Sequence, residues 1–205
     1  MGLSQGDAFH HIRTSLRALL LPGLAIGSAV AMGLAGEAGR SWLRYDRAAI
    51  AAGELWRLIS GHFVHLGWSH LLLNVLGLVL VWYLVAARFS PARWLAISAL
   101  TIAGIDAGFW WLEPQLAWYV GLSGLLHGLL AAGIVAGMRL LHKEAWLLGV
   151  IVGAKIVYEQ LVGPLPGSEA STGGGVIVAA HLYGALTGAV VGAVMPIRVA
   201  PKAPI

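Results

Sequence analysis

The chain is a succession of long apolar runs broken by shorter polar segments. Six runs stand out, at residues 18–36, 71–87, 94–112, 122–138, 145–162 and 176–197. Each is close to the ~20 apolar residues that a helix needs to cross a hydrocarbon core. None alternates strictly between polar and apolar positions, so the pattern predicts helices rather than barrel strands. The first run is uncharged and longer than the apolar core of a cleaved signal peptide, and it is read as a span. Segment 37–69 is the longest polar stretch, and 163–175 is a loop rich in Gly, Pro and Ser. The predicted architecture is an all-α integral membrane bundle of six transmembrane helices. It forms one domain over residues 1–205, with a short leading segment 1–17 and a tail 198–205.

Composition agrees with this pattern. With 59% hydrophobic and 11% charged residues, the chain has too few charges to cover the surface of a soluble domain. The net charge of +4 comes largely from basic residues that flank the apolar runs, which points to membrane orientation and away from nucleic acid. With the N-terminus inside, Arg13, Arg17, Arg88, Arg93, Arg139, Lys143, Arg198 and Lys202 all fall on the inner side. The long first outer loop runs against this trend with Arg40, Arg44, Arg47 and Arg57, balanced in part by Glu37, Asp46 and Glu54. The expected topology therefore has both termini cytoplasmic, with Ser123 and His181 near the outer ends of their helices at a shared depth. The absence of cysteine excludes disulfides and thiolate chemistry.

Polar side chains inside such runs are costly and are functional candidates. Ser123 stands between Gly121 and Gly124 at the start of the fourth run, and His181 lies in the sixth. A serine needs a base to take its proton, and His181 suits that task at neutral pH. A serine at a helix N-terminus also brings free backbone N–H groups suited to a developing oxyanion. His70 and Asn74 are four residues apart on one helical face and offer two further donors. Taken singly, each has a plain alternative: a small residue easing helix packing, or a polar side chain bonded to a neighbouring helix. Their coincidence at one depth favours a site. GLSGL lacks the second glycine of G-x-S-x-G, and there is no H-E-x-x-H.

In four motifs the chain resembles the rhomboid intramembrane serine proteases. They are Trp56-Arg57, His70-Leu-Leu-Leu-Asn74, Gly121-Leu-Ser123-Gly124, and Ala180-His181 followed by Gly184-x-x-x-Gly188. The resemblance implies Ser123 as nucleophile and His181 as its base, a dyad without an acidic third member. It implies an oxyanion hole of His70, Asn74 and the Ser123 N–H, and a Gly184/Gly188 face that packs the sixth helix on the fourth. Trp56 and Arg57 would brace the first loop, Arg57 through hydrogen bonds. The substrate implied is a transmembrane segment of another protein, and no cofactor or metal is expected.

His127 departs from the commoner rhomboid pattern. GLSG-x-LHG in a short six-span chain resembles the rhombosortase branch, which is associated with C-terminal tails of Gly-Gly, a transmembrane segment and basic residues. By that resemblance the protein sits in a bacterial inner membrane with its site open to the periplasm. His127 is expected to pack against or bond His181, or else to bond elsewhere in the bundle. Lys155 and Glu159, four apart in the fifth run, read as an internal ion pair that Asp106 joins, unless Asp106 holds water near the site. His62, His65 and His70 have ligand-like spacing but no well-placed carboxylate. Two other readings are an inactive rhomboid-like protein that binds spans, and a haem or metal protein ligated by histidines.

Overall fold

The computed structural model describes residues 5–198. Residues 1–4 of the expected leading segment and 199–205 of the expected tail lie outside the described residues. Helix α1 (Gln5–Leu34) runs through the first apolar stretch, with Pro22 inside it. A short helix α2 (Gly36–Leu43) leads to strand β1 (Tyr45–Asp46), then to the brief helices α3 (Arg47–Ala51) and α4 (Arg57–Ser60). Long helices α5 (Trp68–Val85) and α6 (Pro91–Leu112) follow. Ser90 starts α6: its hydroxyl accepts from the Arg93 N–H at 3.4 Å, with Pro91 in the first turn. Strand β2 (Trp118–Tyr119) precedes α7 (Ser123–Arg139), α8 (Lys143–Leu161), the one-turn α9 (Ser168–Thr172) and α10 (Val178–Val194).

Each of the six apolar runs is thus helical, with ends within a few residues of the expected ones apart from the N-terminal extension of α1. Among the described residues, two helical stretches suffice by length and composition alone to cross a membrane, Trp68–Arg88 and Pro91–Leu112. Leu19–Leu34 with Gly36–Leu43, bent by 119°, makes a third candidate. The outward faces are apolar: Leu72, Leu76 and Val79 on α5, Leu147 and Val150 on α8, and Leu186 and Val190 on α10 are all exposed. In water such a surface would aggregate, whereas in lipid it costs nothing to leave uncovered.

Helix α7 is the centre of the bundle and touches α5, α6, α8 and α10. Its buried positions are mostly small, among them Gly124, Gly128, Ala132, Gly133 and Ala136. That choice lets neighbours approach to backbone contact. A Cβ on Gly184 would lie 2.1 Å from the Gly124 carbonyl oxygen, one on Gly188 2.0 Å from that of Gly128, and one on Gly192 2.6 Å from Ala132. The contact therefore repeats once per turn along α7 and α10. The expected Gly184/Gly188 face is present and continues through Gly192.

The first loop folds into three short helices, and it adds the only strand pairing among the described residues. Tyr45 pairs with Tyr119 and Asp46 with Trp118, antiparallel. Arg47 accounts for much of this order. Its guanidinium donates to the carbonyls of Trp110 at 3.2 Å, Glu113 at 2.8 Å and Leu116 at 3.2 Å, and also to that of Phe109. These are carbonyls at and just beyond the end of α6, which have no partner within the helix. Arg57 is buried and donates to Glu54 at 2.7 Å and to the carbonyls of Ser41 at 2.9 Å and Arg44 at 3.0 Å. Trp56 stays partly exposed and rests on Trp42, with ring centres 5.4 Å apart.

Candidate active site

Ser123 is the first residue of α7, and the segment before it is held from below. Gly121 has φ +130°, a conformation that favours glycine, and its N–H donates to the Gly61 carbonyl at 3.1 Å. The Tyr119 hydroxyl donates to the Gly121 carbonyl at 2.5 Å. Burial pushes the Tyr119 phenol above its usual range, so it stays protonated as a donor. The first loop and β2 thus fix the approach to Ser123, while α7 aims its first-turn N–H groups at the same region.

His181 comes from the second turn of α10, and its Nε2 lies 2.9 Å from Ser123 Oγ. The two residues are 58 apart in the chain and meet because the glycine face closes α10 onto α7. His181 is buried and Ser123 half-buried, and both line a cavity of about 310 Å³. His70, Leu73, Asn74 and Gly77 from α5 form another wall, and Leu165, Ser168 and Thr172 form a third.

His70 and Asn74 are buried on that α5 wall. His70 Nδ1 accepts from the Leu66 N–H at 3.4 Å, so in the neutral ring the proton is on Nε2. A Cβ on Gly121 would be 3.2 Å from that Nε2, which places the donor beside the turn leading to Ser123. The Asn74 amide nitrogen donates to the His70 carbonyl at 3.0 Å, which sets the orientation of its amide and leaves one N–H free.

His127 stacks on His181 with ring centres 4.2 Å apart and planes 22° from parallel. Its Nδ1 lies 2.7 Å from the Ser123 carbonyl and must donate, since a carbonyl only accepts. Lys155 and Glu159 form the expected pair, Nζ to Oε2 at 2.7 Å. The pair also has a partner that helix spacing does not reveal: Glu159 Oε2 is 2.9 Å from His181 Nδ1. The family resemblance implied no acidic group behind the base, but α8 is turned so that this nearly sealed carboxylate meets the His181 imidazole.

Asp106 does not join that pair. It lies 3.2 Å from His62 Nε2, giving His62 the carboxylate that sequence spacing fails to show. His65 stacks edge-on against His70 at 4.9 Å, and neither of its buried ring nitrogens has a hydrogen-bond partner. Burial, with the neighbouring His70, holds the His65 imidazole down at about 4, so it is neutral. One metal-like cluster occurs among the described residues: donor atoms of His127, Glu159 and His181 lie within 4.8 Å of one another. Lys155 Nζ stands among them, 2.7 Å from His127 Nε2 and 3.3 Å from His181 Nδ1. The chain's own ammonium takes the position a cation would need.

Comparison with known proteins gives the family. The chain is 33% identical over 95 residues to "Putative rhomboid protease YdcA" of Bacillus subtilis (strain 168), covering 46% of this chain and 47% of that one. It is 27% identical over 146 residues to the uncharacterized proteins Mb1372 of Mycobacterium bovis and Rv1337 of Mycobacterium tuberculosis, covering 66% of this chain and 57% of theirs. The matches thus span about half the length of these curated relatives. The Rhomboid domain profile matches residues 52–198, from the first loop through α10, and on that match this chain belongs to the rhomboid family of membrane proteins.

Proposed function

We propose that the protein is an intramembrane serine endopeptidase in which Ser123 attacks and His181 is the base. The observation that carries this reading is the 2.9 Å contact between Ser123 Oγ and His181 Nε2 at the wall of the cavity. His181 takes the hydroxyl proton as Oγ bonds to the scissile carbonyl carbon, and the carbonyl electron pair moves to its oxygen. The Ser123 N–H, His70 Nε2–H and the free Asn74 N–H stabilise that oxyanion. His181 then returns the proton to the leaving amine, and the acyl-enzyme is released by a second nucleophile.

The six long helices are six spans with both termini cytoplasmic, which puts Ser123 and His181 near the outer face of a bacterial inner membrane. Periplasmic water reaches the cavity from above. The substrate is a transmembrane segment of another protein, and helix-breaking glycines ease its entry because their backbone is less committed to helix. The GLSG-x-LHG pattern supports the rhombosortase branch, and with it a tail of Gly-Gly, a transmembrane segment and basic residues. The test is labelling of the purified protein by a serine-reactive phosphonate, followed by cleavage of a reporter carrying such a tail. Wild type should label, and Ser123→Ala and His181→Ala should not. Equal labelling without Ser123 ends the protease reading. A reporter cut as well with Val-Val in place of Gly-Gly ends the tail specificity.

A further inference from the structure

We propose that Glu159 is a positioning residue that holds His181 in its reactive tautomer, and that Lys155 and His127 hold Glu159 in that role. The inference rests on the reading of Ser123 and His181 as nucleophile and base. For His181 Nε2 to accept the serine proton it must carry a lone pair, so the ring proton must be on Nδ1. That nitrogen faces two groups, Glu159 Oε2 at 2.9 Å and Lys155 Nζ at 3.3 Å. An ammonium can only donate. Had it won Nδ1, the proton would sit on Nε2 and the imidazole could not take a second one from Ser123. A carboxylate can only accept, and it is closer. Glu159 therefore selects the tautomer that can act as a base.

The remaining bonds agree with this single assignment. Lys155 donates to Glu159 at 2.7 Å and to His127 Nε2 at 2.7 Å. His127 Nε2 is free to accept because Nδ1 donates to the Ser123 carbonyl at 2.7 Å. The circuit starts at Ser123 Oγ, passes through His181, Glu159, Lys155 and His127, and returns to the Ser123 backbone. Each successive residue along it donates to or accepts from the next without two donors or two acceptors meeting. It ties α7, α8 and α10 together through positions four apart on α7 and four apart on α8. In the ground state the Lys155 and Glu159 charges cancel, so the buried carboxylate is not left unpaired. When the serine proton moves to Nε2, the new imidazolium already has Glu159 behind it, and no group has to reorganise.

The test uses the full chain in proteoliposomes with a cleavable transmembrane reporter and the phosphonate probe. Glu159→Gln keeps the shape but can present an amide N–H to Nδ1, which favours the wrong tautomer. It should lower kcat by about 100-fold or more, leaving KM within about twofold. The ¹⁵N spectrum, assigned by difference from His181→Ala, should lose the Nδ1–H form of His181. Glu159→Asp should recover part of the rate. Because Glu159→Gln leaves Lys155 unpaired, the double change Glu159→Gln with Lys155→Met serves as a variant without a stranded charge, and it too should be slow. Wild-type kcat in the double variant, or an unchanged His181 tautomer in Glu159→Gln, overturns the inference. Failure of wild type itself to label would instead fault the Ser123–His181 reading on which this one stands.

Discussion

Gly188 lies against the Gly128 carbonyl so closely that a Cβ at Gly188 would come within 2.0 Å of that oxygen. The obstacle is backbone, which cannot swing away as the tip of a side chain can. Gly188→Ala must therefore separate α10 from α7. Overpacking of this kind costs about 1–3 kcal/mol. Since His181 reaches Ser123 only through that helix contact, labelling by the phosphonate should fall at least tenfold while the protein still folds in detergent. Gly153→Ala is the control, as a Cβ there meets nothing within 4 Å. Equal labelling by the two variants would mean that the helix contact does not set the Ser123–His181 distance.

Arg47 gives a second prediction, this one about the first loop. Its planar fork satisfies carbonyls from Trp110 to Leu116 at once. A lysine keeps the charge but cannot reproduce the fork. Arg47→Lys should therefore destabilise the loop almost as much as Arg47→Met, by about 2 kcal/mol or more. Limited proteolysis should show earlier cutting between residues 37 and 67 in both variants. Full protection in Arg47→Lys would reduce Arg47 to a point charge.

The residues of the candidate site differ in how far the sequence reveals them, and the reason is geometric. Helix spacing puts His70 with Asn74 and Lys155 with Glu159, because residues four apart on one helix share a face whatever surrounds them. The glycine face of α10 is visible in the same way. The contact between Glu159 and His181 depends on how α8 is rotated against α10, which no spacing within either helix encodes. His62 with Asp106 is a similar case, joining residues 44 apart, one in the turn after α4 and one on α6. The pairing of Tyr45 with Tyr119 is missed for another reason: two-residue strands are too short to leave an alternating pattern. Family motifs supplied Ser123 with His181, but they also suggested a dyad, and the carboxylate behind His181 appears only once the helices are packed.

The place of Lys155 among three potential ligands leads to a third prediction. His127 Nε2, Glu159 Oε2 and His181 Nδ1 surround its ammonium. Two imidazole nitrogens and a carboxylate oxygen are a donor set that zinc uses in hydrolases. Lys155→Ala should therefore turn an internal cation site into a metal site once the ligands draw together. Titration with Co²⁺ should give visible d–d bands with Lys155→Ala and none with wild type. The bands should vanish in the double variant with His127→Ala. Absorption of equal strength in wild type would show that the ammonium does not occupy the position.

His65 makes the stability of the first loop depend on pH. It lies between α4 and α5, outside the long helices, and neither of its buried ring nitrogens has a partner to share a proton with. Burial holds the folded-state value down at about 4, against about 6.5 for a free imidazole. Above pH 6.5 both folded and unfolded chains carry the neutral ring, and His65 adds no pH dependence. Between 6.5 and 4 the unfolded chain binds a proton that the fold refuses, so stability falls as pH falls. The loss levels off below 4 at about 3 kcal/mol. Thermal unfolding at pH 7.5 and 4.5 should therefore show a larger drop for wild type than for His65→Phe, which fills the same space without a titratable nitrogen. Because the His65 ring packs edge-on against His70, phosphonate labelling of wild type should decline over the same range more steeply than that of His65→Phe. Parallel curves for the two proteins would move the acid sensitivity to another group.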